Sequence, residues 1–484
     1  MWQRTLSRVT HTRNVPLAVW SARSASVWVA VTERLVVKRS LIVVFCVAFA
    51  GCATSFRDHV WLDRELLERT GGSLRGSSEQ ELPPNVHLDD GLDEAEVASI
   101  ALWRDPSLRA EVTRIDAAFA TLDEARRPAN PQLSVMGPFG PVSAVATLLV
   151  PLESLWQIPA RTEAAAREAD VAGEAVLMRA LDLVRDARLL HVELGLAGDR
   201  VLLRTELETV ALEVARIAAV RASVGDISPM EERVLSADAR SSTDASDSAG
   251  TDLSLARARL VARLAIDGAD AGTLRATFGT DIATPPGLAE LVAIARAARP
   301  DARSAELAIA AASARAGWER SRAFVFGAMV EGHWAQSAGP ALRLGGRAEL
   351  PIFGANPGGV GRAEAEAERV LAMHEVVARS VLLDVTVAHA RLVQATRSRH
   401  RFEVEVLPAL EDALQIATRS FESGDTNYLV VLDVLRRAGE ARVRRAEFIA
   451  EQRRALCELD RAIGARLARA PAVAARVRQQ RDTQ

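Results

Sequence analysis

From Arg362 to Phe421 the sequence holds one uninterrupted helical pattern, with apolar residues at Ala363, Ala367, Val370, Val377, Val381, Ala388, Leu392, Ala395, Phe402 and Val406. Spacings of three, four and seven keep a single face apolar along the whole run, as in the seam of a coiled coil. At about 1.5 Å per residue such a helix reaches roughly 90 Å, well beyond the length an ordinary globular domain uses. The chain must therefore contain a rod. Pro408 falls inside the run, where a proline costs about 3 kcal/mol unless something compensates. Any antiparallel coiled-coil rod would satisfy this pattern alone.

The rod occurs twice, because the chain repeats itself with a period of about 200 residues. Leu148 to Ala172 parallels Ala348 to Ala372, with Pro151 matching Pro351. Gly225-Asp226 parallels Gly424-Asp425, and Arg104-Asp105-Pro106 parallels Arg299-Pro300-Asp301 at the head of each half. Each half reads as helix, two strands, very long helix, tight turn, long helix. The counterpart of the long helix in the first half runs from Arg161 to Ala222, and the returning helices start near Pro229 and Tyr428. Glycine accepts positive φ at a helix end, and Asp, Ser or Thr can cap the helix that follows.

Two strands precede each rod. In the second half Phe324, Phe326, Ala328, Val330 and Trp334 alternate with Glu331 and His333, and Leu342, Leu344, Ala348 and Leu350 alternate with Arg343, Arg347 and Glu349. In the first half Leu133 and Val135, then Val142, Ala144, Ala146, Leu148 and Val150, face Ser143 and Thr147. One greasy and one polar face at period two suits a strand between lipid and water. A hairpin on a soluble domain alternates in the same way. Trp156, Trp334 and Phe353 suit an interfacial aromatic belt, and Trp334 suits a plain core equally.

The N-terminus carries a targeting pattern. Lys38-Arg39 precede the apolar run Leu41 to Ala50, which ends at Ala50-Gly51-Cys52, the order of a secretory signal. The small pair before Cys52 resembles a bacterial lipobox, whose thiol is acylated, although Phe49 stands where Leu or Val is usual. An ordinary signal peptide with an incidental cysteine is the other reading. Residues 1–35 extend the basic region unusually far and are expected to lie upstream of the true start. Outside this segment no apolar stretch is long enough for a helical span, so membrane contact falls to the strands.

Composition narrows the function. Net charge is −3, aromatics make up 4%, and alanine and arginine dominate, which favours long helices packed through small residues and gives no sign of nucleic-acid binding. The three cysteines, Cys46, Cys52 and Cys457, form no disulfide framework or metal cluster. His333, His374, His389 and His400 are scattered, His389 and Asp384 have a spacing that does not align a pair, and hydrolase and zinc-protease motifs are missing. Asn356-Pro357-Gly358-Gly359-Val360-Gly361 lacks the lysine and the strand-to-helix setting of a phosphate loop. Gly358, Gly359 and Gly361 instead suit a turn from strand into helix. No enzyme, cofactor or metal site is expected.

At Phe421 to Gly464 (FESGDTNYLVVLDVLRRAGEARVRRAEFIAEQRRALCELDRAIG) the chain resembles the C-terminal signature of TolC-like outer membrane factors. Leu407-Pro408, Asn130-Pro131-Gln132-Leu133 and Pro351-Ile352-Phe353 fit the same family, so that the resemblance covers about residues 95 to 467 through spaced weak motifs. It implies a mainly α fold with a small β part: antiparallel coiled-coil hairpins forming an α-barrel, and four strands per chain completing a trimeric transmembrane β-barrel. The division that follows is 1–51 signal segment, 52–128 tether and equatorial helix, 129–152 first strand pair and 153–264 first hairpin. Then come 265–322 equatorial helices, 323–353 second strand pair, 354–467 second hairpin and 468–484 tail. Four strands cannot close a pore, so oligomerisation is forced if they meet lipid.

The resemblance also implies site residues and partners. Val224, Gly225, Asp226 and Ser228 match the first hairpin tip, and Gly424, Asp425, Thr426 and Asn427 the second, where a periplasmic adaptor docks. Glu231 and Asp433 match carboxylates at the closed aperture, with a solvated helix face as the alternative for both. Val430 sits where some members carry another acid. The Ser/Asp/Gly run at residues 241–252 is expected to break the first returning helix. The implied function is a lipid-anchored outer-membrane duct attached at Cys52, a homotrimer in outer-membrane lipid. It would serve drugs or metal ions through an inner-membrane pump and its adaptor. A type I secretion duct and a non-conducting structural coiled-coil lipoprotein remain the alternatives.

Overall fold

The computed structural model describes residues 57–74, 82–84, 86–88, 90–137, 144–266, 272, 274–278, 285–334, 340–350, 352, 354–423, 425–426 and 428–482. The first half runs α1 (His59–Thr70), α2 (Glu94–Arg104), α3 (Pro106–Arg126), β1 (Gln132–Met136), β2 (Ala144–Pro151), α4 (Glu153–Ser223) and α5 (Pro229–Leu264). The second runs α6 (Leu288–Ala298), α7 (Pro300–Ser321), β3 (Val325–Trp334), β4 (Ala341–Glu349), α8 (Pro357–Arg401), a π segment (Phe402–Val406), α9 (Leu407–Glu422), α10 (Tyr428–Ile463) and α11 (Ala470–Asp482). The duplication is visible at the head of each half. Pro106 and Pro300 both occupy the first turn of their helices, where a missing N–H costs little.

Helix α4 has 71 residues, which at about 1.5 Å each is roughly 105 Å. It packs on α5 along one side and on α10 along another, while α10 packs in turn on α8 and α9. The hairpin helices therefore run side by side in the order α5, α4, α10, α8–α9. Small residues set their spacing: a Cβ on Gly439 of α10 would stand 2.2 Å from Leu207 Cδ2 of α4.

Two expectations about these rods need correction. The Ser/Asp/Gly run at residues 241–252 does not break the returning helix, because α5 continues through it to Leu264. Ala239, Ala249 and Ala256 bury against the neighbouring helices, so tertiary packing holds a segment whose own propensity is poor. Hydroxyls turn back onto the helix as well, Thr243 Oγ1 donating to Ala239 O and Thr251 Oγ1 to Asp247 O. The long helix of the second half, in contrast, is not uniformly α. Its π segment ends just before Leu407-Pro408, and this local unwinding accommodates the proline inside a continuing rod.

The turn from β4 into α8 also differs from expectation. Gly358, Gly359 and Gly361 lie inside α8, and the reversal is made by Gly354 (φ 123°) and Asn356 (φ 56°). Gly359 serves close packing: a Cβ there would stand 2.4 Å from Asn356 Oδ1 and 2.6 Å from Glu319 Oε2.

Two apolar cores sit beside the rods. Leu62 and Leu66 of α1, Ile100 of α2, Leu177 of α4 and Leu264 of α5 form one. Leu291 of α6, Val385 and Leu392 of α8, Leu459 of α10 and Val473 of α11 form the other. Guanidinium groups link elements across the two halves. Arg188 on α4, 3% exposed, donates from Nε to Glu94 Oε1 on α2 (2.7 Å) and from Nη1 to Asp460 Oδ2 on α10 (2.7 Å). Arg461 donates to Asp182 Oδ1 on α4 and to Asp384 Oδ2 on α8, both at 2.9 Å, and Arg299 reaches the same Asp384 oxygen at 2.9 Å.

Removing one member of a buried charge network strands its partners. Arg188→Met should cost about 3–5 kcal/mol, the scale for breaking a buried pair. The readout is a fall in the unfolding midpoint of the purified protein; a midpoint within error of the parent would show that Glu94 and Asp460 find other partners.

Candidate functional site

The four strands form one antiparallel sheet in the order β1-β2-β3-β4. Its register decides what each face carries, since a slip of one residue would move every side chain to the other side. Leu133 pairs with Leu148, Leu148 with Val330 and Val330 with Leu344, while Gly332 pairs with Leu342 and Ala144 with Trp334. One face thus collects Leu133, Val135, Leu148, Val330, Trp334, Leu342 and Leu344. Of these, Leu344 is 81% exposed, Leu342 73%, Leu133 67% and Trp334 52%. Such an apolar sheet face open to the surroundings marks an interaction surface.

The other face is polar along much of its length. Ser134 pairs with Thr147, Thr147 with Glu331, and Glu331 with Arg343. His333 Nε2 lies 3.3 Å from Glu331 Oε2. Among the described residues both outer strands, β1 and β4, pair on one side only. Trp334 and Trp156, 48% exposed, are outside any core, whereas Phe353 and Val142 lie outside the described residues.

At the opposite ends of the long helices lie the hairpin tips. Helix α4 ends at Ser223, and Gly225 takes φ 78°, a left-handed conformation that glycine enters without strain. Asp226 N donates to Arg221 O at 2.9 Å, and the Asp226 carboxylate accepts from Arg221 Nε. Val224 is exposed on the turn. Ser228 then caps α5, accepting from Glu231 N at 3.2 Å, while Glu231 Oε2 accepts from Ser228 N at 2.8 Å. Glu231 is thus engaged in a reciprocal capping box. At the second tip Asp425 N and Thr426 N both donate to Ser420 O, at 2.8 and 3.2 Å, and Ser423 Oγ donates to Asp425 Oδ2 at 2.8 Å. Gly424 and Asn427 lie outside the described residues, as does Cys52.

Asp433, one turn into α10, accepts from Arg437 Nε at 2.8 Å and from Arg436 Nη2 at 3.3 Å. Its charge is offset by its own helix. The arginines three and four residues on were readable in the sequence, as was the Ser228-x-x-Glu231 spacing that pairs Glu231 with its cap. Among the described residues no group of three or more His, Cys, Asp or Glu side chains could hold a metal ion, and no helix is long and apolar enough to cross a membrane.

Above the tips, ion pairs fasten one hairpin to the other and brace the second. Arg200 Nη2 of α4 donates to Glu447 Oε1 of α10 at 2.7 Å, and Arg442 Nη1 of α10 to Glu206 Oε1 of α4 at 3.1 Å. Glu403 accepts from Arg399 and Arg445, each at 3.1 Å. Partial burial opposes ionisation of Glu403 and Glu447, but their guanidinium partners outweigh it and hold both carboxyls below the usual range.

The chain is similar in sequence to a curated protein and in fold to several solved structures. The chain is 26% identical over 378 residues to the cobalt-zinc-cadmium resistance protein CzcC of Cupriavidus metallidurans, covering 76% of this chain and 88% of that protein. A membrane protein from Pseudomonas aeruginosa superposes with a TM-score of 0.66 at 19% identity, over 81% of this chain and 97% of its own. The open state of the Neisseria gonorrhoeae MtrE outer membrane channel gives 0.64 at 18%, over 82% and 98%. VceC, an outer membrane protein from Vibrio cholerae, gives 0.64 at 16%, over 77% and 96%. No family model matches the chain.

The lowered carboxyls give a pH dependence with a definite sign. Their stabilisation is complete above the ordinary carboxylate value of about 4.3 and fades as pH falls through the lowered folded value. Spin labels on Val224 and Ser423 should therefore show a distance distribution that is narrow from neutral pH to about 5 and broadens below about 4. A distribution unchanged down to pH 3 would mean that these pairs do not fasten the hairpins. With its four-stranded sheet and paired helical hairpins in this order, the chain has the fold of TolC-like outer membrane channels.

Proposed function

We propose that the chain is the outer-membrane channel protomer of a tripartite efflux system, a passive duct that carries out no chemistry. The observation that carries this reading is the sheet register, which gives four strands a continuous apolar face, a polar face and two unpaired edges. In lipid an unpaired strand edge costs several kcal/mol per unsatisfied group, so the sheet must be closed by further strands. Three copies would give a twelve-stranded barrel with Leu342 and Leu344 toward lipid and Glu331, Arg343 and Arg347 toward the lumen. The helical rods then extend the duct into the periplasm.

The exposed tips, Val224, Gly225, Asp226 and Ser228 with Gly424, Asp425, Thr426 and Asn427, are the surface for a periplasmic adaptor coupled to an inner-membrane pump. Glu231 and Asp433 would stand beside the aperture, each already engaged locally, which makes them wall groups more than free cation ligands. Cys52 would carry the lipid anchor. The cargo class favoured is divalent metal cations, on the likeness to a cobalt-zinc-cadmium resistance protein.

Purified protein added to planar bilayers should give stepwise conductance and run as a heat-sensitive trimer. Leu344→Arg places a charge on the lipid face and should cost about 2–4 kcal/mol at mid-membrane, abolishing insertion. Arg343→Glu, in the lumen, should keep the trimer and shift conduction toward cations. A soluble monomer without conductance, or Leu344→Arg channels equal to the parent, would overturn the reading.

A further inference from the structure

Between α5 and α6, residues 274–278 cross the seam where the two hairpins meet. Phe278 packs against a small apolar cluster made by Val192 and Leu196 of α4 with Ala446 and Ala450 of α10. It reaches that seam because α4 carries Gly195, where a Cβ would collide with the Phe278 ring. Arg453 of α10 stacks on the same ring, its guanidinium carbon 4.2 Å from the centroid. Backbone pairing holds the rest of the segment: Leu92 N donates to Arg275 O at 2.9 Å, and Thr277 N to Leu92 O at 2.8 Å. Arg257 Nε of α5 donates to Leu274 O at 3.2 Å. Residues 274–278 are thus a clasp over the α4–α10 seam.

His191 of α4 lies beneath this clasp and is fully buried. Its ring centroid stands 4.7 Å from that of Phe278, with the planes tilted by 57°. Nε2 is 2.8 Å from Leu92 O. A carbonyl only accepts, so the neutral ring carries its hydrogen on Nε2. Nδ1 is left bare, buried and without a hydrogen-bond partner among the described residues. A second proton would have to enter at Nδ1, where no acceptor awaits it and the new charge would have no water. It would also bring a second cation to the ring that Arg453 already covers. Burial holds the imidazole below its ordinary value against the pull of Glu94 and Asp93 at the start of α2, and Arg453 adds to that effect. Glu94 is engaged by Arg188 Nε at 2.7 Å, and Cys457 of α10 is a neutral thiol, pushed up to about 12 by burial.

We infer that His191 is an acid-operated release for the clasp: a proton on Nδ1 frees residues 274–278 from the seam while the rods stay folded. The sign follows from linkage. Released, the imidazole meets water and titrates near its ordinary value of about 6.5; docked, it titrates lower. Docking is therefore complete above about pH 6.5 and weakens by up to about tenfold for each pH unit below, until the docked value is passed. This window lies above the one in which Glu403 and Glu447 are protonated, so their ion pairs still fasten the hairpins when the clasp opens. The opening is local, a segment of low stability leaving a stable frame. It is internal to one copy and holds whether or not the chain conducts.

Hydrogen exchange of the full chain in detergent tests this, read as protection factors so that the intrinsic pH dependence of exchange is removed. The amides of Leu92 and Thr277, whose hydrogen bonds hold the clasp, should keep constant protection from pH 8 to about 6.5 and lose up to about tenfold per unit from there to pH 5. Leu194 of α4 and Val385 of α8, inside the rods, should stay protected throughout. His191→Gln keeps a donor for Leu92 O but does not titrate, and should flatten the profile. Protection at Leu92 and Thr277 that stays level to pH 5 in the parent overturns the inference, and so does a loss shared equally by Leu194 and Val385. A folded His191→Gln chain that loses protection over the same range overturns it too; if that variant does not fold, the parent profile read against the rod amides decides.

Discussion

A β-sheet cannot end in lipid. Every strand edge presents a row of N–H and C=O groups, and in hydrocarbon nothing but another strand can satisfy them. The sheet here has two such edges, on β1 and β4, and a face of Leu133, Leu148, Val330, Leu342 and Leu344 that water would not tolerate easily. In the proposed channel, closure by other copies would meet both needs at once. The remaining architecture would then follow, because a ring of sheets would set the helices that grow from it side by side in a ring as well.

Within one copy, small residues and charge add to the large apolar side chains in keeping the helices in order. Gly439 lets α10 approach α4, and Arg188, Arg299 and Arg461 tie carboxylates of α2, α4, α8 and α10 together at mid-rod. Buried guanidiniums hold their geometry by several bonds each and discriminate sharply against misaligned helices, since a slipped register would strand a charge. Nearer the tips the same residue types lie at the surface, in the pairs of Glu206, Glu403 and Glu447, where water and protons can reach them. The charge pairs are thus buried at one end of the rod and partly exposed at the other.

Much of this was legible in the sequence because it depends on period alone. Alternation of Val330 with Glu331 and of Leu344 with Arg343 gave the faces of the sheet, and the spacing from Ala363 to Ala395 gave the buried stripe of α8, with Gly225 marking a reversal. What escaped notice depends on partners far away in the chain. The α5 helix survives its Ser/Asp run because α4 covers its alanines, which local composition does not report. The π segment before Pro408 is a backbone adjustment without a side-chain signature. Glu231 matched an acidic position, yet its carboxylate closes a cap, and the Ser228-x-x-Glu231 spacing was the available signal. The guanidinium ties join residues separated by up to 279 positions and are invisible to any local pattern.

The central claim is that the sheet lies between lipid and a water-filled lumen, and accessibility along β3 and β4 tests it most directly. Single nitroxide labels at Val330, Glu331, Leu342, Arg343 and Leu344 in protein reconstituted into vesicles would be relaxed by oxygen, which partitions into lipid, or by a water-soluble nickel chelate. The account predicts strict alternation, with Val330, Leu342 and Leu344 favouring oxygen and Glu331 and Arg343 favouring the chelate. Equal access of the chelate to all five positions would contradict it.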